Sequence, residues 1–201
     1  MKKILFAASE CVPFIKTGGL ADVAGSLPKN FDKEEFDVRV VLPKYACIKA
    51  EWLEKMTAKT SFYMYFNGKD RYVGIDELVM DGIQFYFIDN QDYYGGPKPY
   101  TSDGIWDIEK FAFFSKAVLA ILPSIEFQPD IIHCHDWQTG LVPVYLDTFR
   151  GSEFYKDMKT VMTIHNLKFQ GVWGTKEVKD ITGLPDEYFT TERLEAYTLE
   201  F

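Results

Sequence analysis

The stretch KKILFAASECVPFIKTGGLADVAGSLP, Lys2 to Pro28, sets an apolar run, a glycine-bearing loop and a helical pattern in sequence. Ile4 to Ala8 is a compact apolar run without the alternation of a half-solvated strand, as expected of a strand buried in a parallel sheet. Leu20 to Leu27 reads as a short helix, and Pro28 is taken as its stop. Val38 to Leu42, in DVRVVLPKY, repeats the buried-strand signature and ends at Pro43. Together these make a β-α-β unit. Lys16 and the pair Gly18-Gly19 stand between its first strand and its helix. A tight turn needing positive φ at one glycine explains the pair. So does a seat for a phosphate or a sugar, because glycine lets a ligand approach the unpaired N–H groups of a helix start. Spacing leaves both open. The pair is not GxGxxG, and GxxxxGK[ST] is absent, so neither glycine-rich phosphate motif is present.

Beyond this unit the pattern changes. TSFYMYFNGKDRYVGIDELVMDGIQFYFIDN has aromatic and β-branched runs around Asn67-Gly68 and Asp81-Gly82, which are hairpin signals. About Thr60 to Asp89 is expected to form antiparallel strands appended to the parallel sheet. Gln91 to Gly104 reads as a loop from its glycines and prolines. Its tyrosines, Tyr93, Tyr94 and Tyr100, are expected outside the core. Phe111, Phe114, Val118, Ile121 and Ile125 recur at steps of three and four, which predicts one long core-facing helix over 105–125. QPDIIHCHDWQTGLVPVYLDTF predicts a strand to about His135, a tight loop, and a helix from about Thr139. Thr160 to Ile164 is a further strand, and the remainder, to Phe201, reads as short helices and turns. Strands alternating with helices imply a doubly wound, Rossmann-like, mostly parallel α/β sheet with an antiparallel insertion.

At 201 residues, 47% hydrophobic and 26% charged, the chain has the size and composition of one globular domain with a sizeable core. A net charge of −8 argues against a nucleic-acid surface. It also means that a phosphate would be held by a few local donors and not by the overall field. The opening MKKILFAAS imitates a signal peptide, but Glu10 interrupts its apolar core too early. No apolar window of about 18 residues exists, which excludes a helical membrane span. Cys11, Cys47 and Cys134 are scattered and without C-x-x-C spacing, as in a reducing cytosol. A cytoplasmic protein is expected.

Three loops follow the carboxyl ends of predicted parallel strands: 9–19, 133–138 and 165–171. Open α/β sheets bind ligands at that edge, and all three histidines of the chain fall there. His133 and His135 share a strand face and, with Asp136, imitate a metal site; no second ligand cluster completes it, and Cys134 points the other way. Asp136 beside Trp137 equally suits a sugar, whose hydroxyls need acceptors and whose C–H faces pack on rings. Helix capping by Asp136 with Trp137 in the core explains the same residues. His165 and Asn166, in TIHNL, offer donors and acceptors to a hydroxyl or to developing charge, or form a satisfied, partly buried pair. The runs at 29–35 and 176–179 read as solvated faces.

KTGGLADVAGSLP after a first strand, then HCHDWQTGL, then TIHNLKFQG before GLPDEYFT, resembles the bacterial glycogen synthase and plant starch synthase family in order and spacing along the whole chain. The resemblance implies a GT-B enzyme of two Rossmann-type domains. Such an enzyme transfers glucose from ADP-glucose to the non-reducing end of an α-1,4-glucan, with retention of configuration and without a metal or other cofactor. It implies that Lys16, Gly18 and Gly19 meet the donor's phosphates and sugar. Asp22 lies just inside the helix, and Asp136, Trp137, His165 and Asn166 surround the transferred glucose and the acceptor. Glu10 and Tyr100 lie on the acceptor side, and His165, with Asp136, is the catalytic candidate. It further implies that residues 1–201 are an incomplete N-terminal, acceptor-side domain. The nucleotide-binding C-terminal domain would be missing, and the fragment alone inactive. UDP-glucose as donor, a glucan-binding module without catalysis, and a metal-dependent hydrolase built on HCHD are the alternative readings.

Overall fold

The computed structural model describes residues 1–101 and 103–190; the tail expected to form further turns lies, over 191–201, outside the described residues. Seven strands form one sheet: β1 Lys2–Ala7, β2 Phe36–Pro43, β3 Thr57–Phe66, β4 Lys69–Met80, β5 Ile83–Asp89, β6 Ile131–His135 and β7 Lys159–Thr163. Their order is β3-β4-β5-β2-β1-β6-β7. The pairs β1–β2, β1–β6, β2–β5 and β6–β7 are parallel, whereas β3–β4 and β4–β5 are antiparallel. The expected antiparallel insertion is therefore smaller than the run 60–89. Its last strand, β5, belongs to the parallel sheet through β2, because IQFYFID is buried on both faces like β1.

The helices are α1 Gly19–Ser26, α2 Ala50–Leu53, α3 Gln91–Tyr94, α4 Gly104–Ala120, α5 Leu141–Phe149 and α6 Thr175–Thr182. Pro28 does not stop the chain after α1. It enters a 3-10 helix over Leu27–Asn30 at its first turn, where its missing N–H costs nothing. The long helix ends at Ala120, five residues before Ile125, and turns continue past Pro123. α4 is capped by Asp103, whose side chain accepts from the N–H groups of Ile105 and Trp106.

One expectation fails outright. Tyr93 and Tyr94 are buried at 3% and 1% exposure, because Asn90 caps α3 by accepting the N–H of Tyr93 and turns both rings inward. The Tyr93 ring lies 4.7 Å from that of Phe113 and 5.4 Å from that of Trp106, tilted against both. The apolar gain of covering two such rings outweighs the loop-like composition around them. Among the described residues no helix is long and apolar enough to cross a membrane, and all three cysteines are free.

The sheet order fixes where a site can form. From β1 the chain winds through β2 to β5, then returns to the other side of β1 for β6 and β7. The switch point lies between β1 and β6, and a crevice opens there beyond the strand carboxyl ends.

Candidate functional site

Three loops from β1, β6 and β7, with the segment before α4, enclose a hollow of about 610 Å³. Glu10, Thr17, Gly18, Gly19 and Leu20 form one wall; Asp136, Trp137, Gln138, His165, Asn166 and Phe169 form the other; Tyr100, Thr101 and Asp107 close the back. Of the ten residues singled out in the sequence, eight border it. Lys16 and Asp22 do not. They pair with each other at 2.8 Å, each about half exposed, outside the rim.

The first wall is organised by a buried carboxylate. Glu10 is 3% exposed. It accepts from the N–H of Thr17, from the N–H of Gly18 at 3.2 Å, from Thr17 Oγ1 at 2.6 Å and from Tyr100 Oη at 2.6 Å. A charge out of water persists only when its lone pairs are filled in this way. Burial and the adjacent Glu10 push the Tyr100 phenol far up, so it remains a donor. Tyr100 is delivered by a second buried pair: Lys110 Nζ lies 2.8 Å from Asp107 Oδ1 and also donates to the carbonyl of Pro99. Asp107 in turn accepts the N–H of Thr101.

The glycine pair is not explained by backbone conformation. Gly18 has φ −145° and ψ −170°, which is extended backbone, and neither glycine has positive φ. A Cβ added at either would meet nothing within 4 Å. What the pair leaves is open space over the start of α1, where no side chain caps the helix and the N-terminal partial charge is positive.

The second wall is strained. Asp136 has φ 57° and ψ −179°, a region that residues other than glycine avoid at a cost of about 1–3 kcal/mol. Its N–H donates to the carbonyl of Thr163 at 2.9 Å, and its Oδ1 accepts the N–H of His165 at 2.6 Å. The end of β6 is thereby tied to the loop after β7. Trp137 stands edge-on to Phe111 at 5.1 Å and lies 4.9 Å from Trp173. Gly171, at φ +68°, passes so close that a Cβ would lie 2.8 Å from the Trp137 side chain.

Beneath this wall the three histidines form a stack. His133 and His135 rings lie 4.2 Å apart, and those of His135 and His165 lie 5.2 Å apart. His133 Nε2 is 2.7 Å from Thr163 Oγ1, and His135 Nδ1 is 2.9 Å from His165 Nε2. Burial, then the two neighbouring rings, lowers the His135 pKa to about 3; burial lowers that of His133 as well. The metal reading of HCHD finds these nitrogens turned to Thr163 and His165. No cluster of three or more His, Cys, Asp or Glu able to hold a metal occurs among the described residues.

The sequence did not single out Thr17, Leu20, Thr101, Asp107, Gln138 or Phe169. For Asp107 a signal existed: with Lys110 it breaks the otherwise apolar face of α4 at a spacing of three.

A hollow at the switch point of a doubly wound sheet, lined by buried carboxylates, tryptophan and histidine, has the form of a ligand site in an α/β domain. The chain belongs to the starch synthase catalytic domain family, which matches residues 3–199. It is 64% identical over 201 residues to a glycogen synthase of Lachnospira eligens and 61% identical over 199 residues to one of Lachnoclostridium phytofermentans. Each alignment covers 98% of this chain, which spans 41% of the length of each of these relatives. The catalytic domain of starch synthase IV from Arabidopsis thaliana, bound to ADP and acarbose, superposes with a TM-score of 0.84 at 30% identity. That match covers 96% of this chain and 40% of that one.

Proposed function

We propose that this chain is the N-terminal, acceptor-side part of a retaining GT-B glucosyltransferase. The complete enzyme transfers glucose from ADP-glucose to the non-reducing end of an α-1,4-glucan. The observation that carries the proposal is the convergence of Glu10, Tyr100, Asp136, Trp137, His165 and Asn166 on one hollow, in a chain of this family. The relatives' name, glycogen synthase, and the ADP and acarbose bound to the plant enzyme support the same reading.

In this reading, the bond between the anomeric carbon and the diphosphate breaks, a glucan 4-hydroxyl oxygen bonds to the same face of the sugar, and the hydroxyl proton passes to the departing diphosphate. Trp137 packs against the hexose, and Asp136 accepts a hydroxyl through the oxygen not engaged by His165. The His165 ring contributes its second nitrogen to the transferred glucose. The open start of α1 receives the leaving phosphate. Lys16 assists only after releasing Asp22, an inexpensive step for an exposed pair. Positive charge is outnumbered on this chain (22 basic against 30 acidic residues), so in this reading most diphosphate binding falls to residues of the complete enzyme outside it.

The test is an assay of the complete polypeptide with ADP-glucose, UDP-glucose and maltooligosaccharide. Transfer from ADP-glucose, with negligible transfer by residues 1–201 alone, is the expected result. Transfer from UDP-glucose only would correct the donor. Glucan binding without transfer from either donor would reduce the proposal to a binding module.

A further inference from the structure

The histidine stack assigns a function to a residue that does not border the hollow. His135 is fully buried between Phe6, at 5.2 Å, and the rings of His133 and His165. Only its Nδ1 finds a partner, His165 Nε2 at 2.9 Å; its Nε2 is buried with none among the described residues. A neutral imidazole carries one proton, so two arrangements compete. With the proton on His135 Nε2, a buried N–H has no acceptor, and the contact is made by a proton on His165 Nε2. With the proton on Nδ1, the contact is made by His135, and only a lone pair is left bare. Orphaned buried N–H groups are the rarer of the two defects. The buried, neutral state of His135 leaves no third arrangement with both of its nitrogens protonated.

We infer that His135 is a positioning residue that donates its Nδ1 proton to His165 Nε2 and so holds His165 as the tautomer protonated on Nδ1. His165 then offers the ligand an N–H, not a lone pair, and the group it meets is an acceptor such as a sugar hydroxyl oxygen. This rests on the functional reading above for its consequence in catalysis but not for the tautomer itself. His133 is excluded from the role because its Nε2 faces Thr163 Oγ1.

The complete protein with 15N-labelled histidine tests it. Long-range 1H–15N spectra, with His165 assigned from the signal lost in His165→Gln, should show His165 protonated on Nδ1 and bare on Nε2. A His165 protonated on Nε2 overturns the inference. His135→Phe preserves the stack but removes the donor. It should lower kcat for transfer by roughly 10²-fold, the size of a misdirected proton donor, with KM for maltooligosaccharide little changed. His135→Asn, whose amide nitrogen takes the place of Nδ1, should restore most of that loss. Equal defects in the Phe and Asn variants, with both folded, also overturn it. If no sugar nucleotide supports transfer while the spectrum shows the Nδ1 form, the functional reading falls and the tautomer stands.

Discussion

The two walls of the hollow are built by opposite means. The wall of Glu10, Thr17 and Tyr100 is a closed network in which one buried carboxylate is filled by four donors from the chain itself. The wall of Asp136, His165 and Asn166 holds a strained backbone, a single short bond between Asp136 and His165, and a loop whose Leu167 and Phe169 are 74% and 60% exposed. Preorganisation comes from the first. The second keeps its polar atoms and apolar surface available, at a cost in local stability that the rest of the fold must offset. The expected consequence is a split: substitutions behind the first wall act through stability, and those in the second act through function.

The largest effect should come from Lys110→Met. It leaves Asp107 charged and buried, and removing one partner of a buried pair costs about 3–5 kcal/mol. Lys110 and Asp107 side chains are 1% and 9% exposed. Urea unfolding measures the loss. The double variant Lys110→Met/Asp107→Leu should recover it only in part, because the N–H of Thr101 then lacks its acceptor. A single variant as stable as the parent would show that the network does not support the wall.

Next is a pair of substitutions at one position. Asp136→Ala and Asp136→Gly both delete the bond to His165, but only glycine relieves φ 57°. The glycine variant should be the more stable by about 1–3 kcal/mol. Both should lose transfer in the complete enzyme by a similar large factor. Equal stability would remove strain from the account of the second wall.

Much of this contrast was legible in the sequence, and the gaps have physical causes. Apolar runs marked β1 and β2 because a parallel sheet buries both faces of its inner strands; β7, at the sheet edge, is largely exposed. Three strand-end loops then predicted a shared site from topology. Tyr93 and Tyr94 were misplaced because local composition announces a loop while a distant aromatic cluster decides burial. Lys16 was assigned to the site by its place beside the glycines. A six-residue separation from Asp22 gives no periodic signal of their pairing. The support behind Tyr100 was only half legible: Asp107 and Lys110 share a helix face at a spacing of three, but their meeting with Pro99 and Thr101 depends on how the preceding loop folds back on α4.

A third effect depends on pH. The folded-state pKa of His135 is lowered to about 3 by burial and by His133 and His165, against about 6.5 for an unfolded histidine. Between these values the unfolded chain binds more protons, so stability rises with pH there. The contribution is complete above about pH 6.5 and declines at up to about 1.4 kcal/mol per pH unit on acidification toward pH 3. His133 acts in the same direction. His135→Phe should flatten the acid limb of stability between pH 6.5 and 4. An unchanged slope would mean that the stack is hydrated and not buried.

The smallest effect on stability should be that of Lys16→Ala. The pair with Asp22 is exposed by about half on both sides, and such pairs contribute about 0–1 kcal/mol. If Lys16 serves the donor phosphate, transfer in the complete enzyme falls although urea unfolding barely moves, and KM for the sugar nucleotide rises. Asp22→Asn separates the roles further: it frees Lys16 from its partner at the same small cost. Should Asp22→Asn depress transfer as much as Lys16→Ala does, the carboxylate has its own part in the reaction and is more than a resting partner. Should neither substitution alter transfer, the rim pair is surface chemistry, and on this chain the phosphate is left to the positive end of α1.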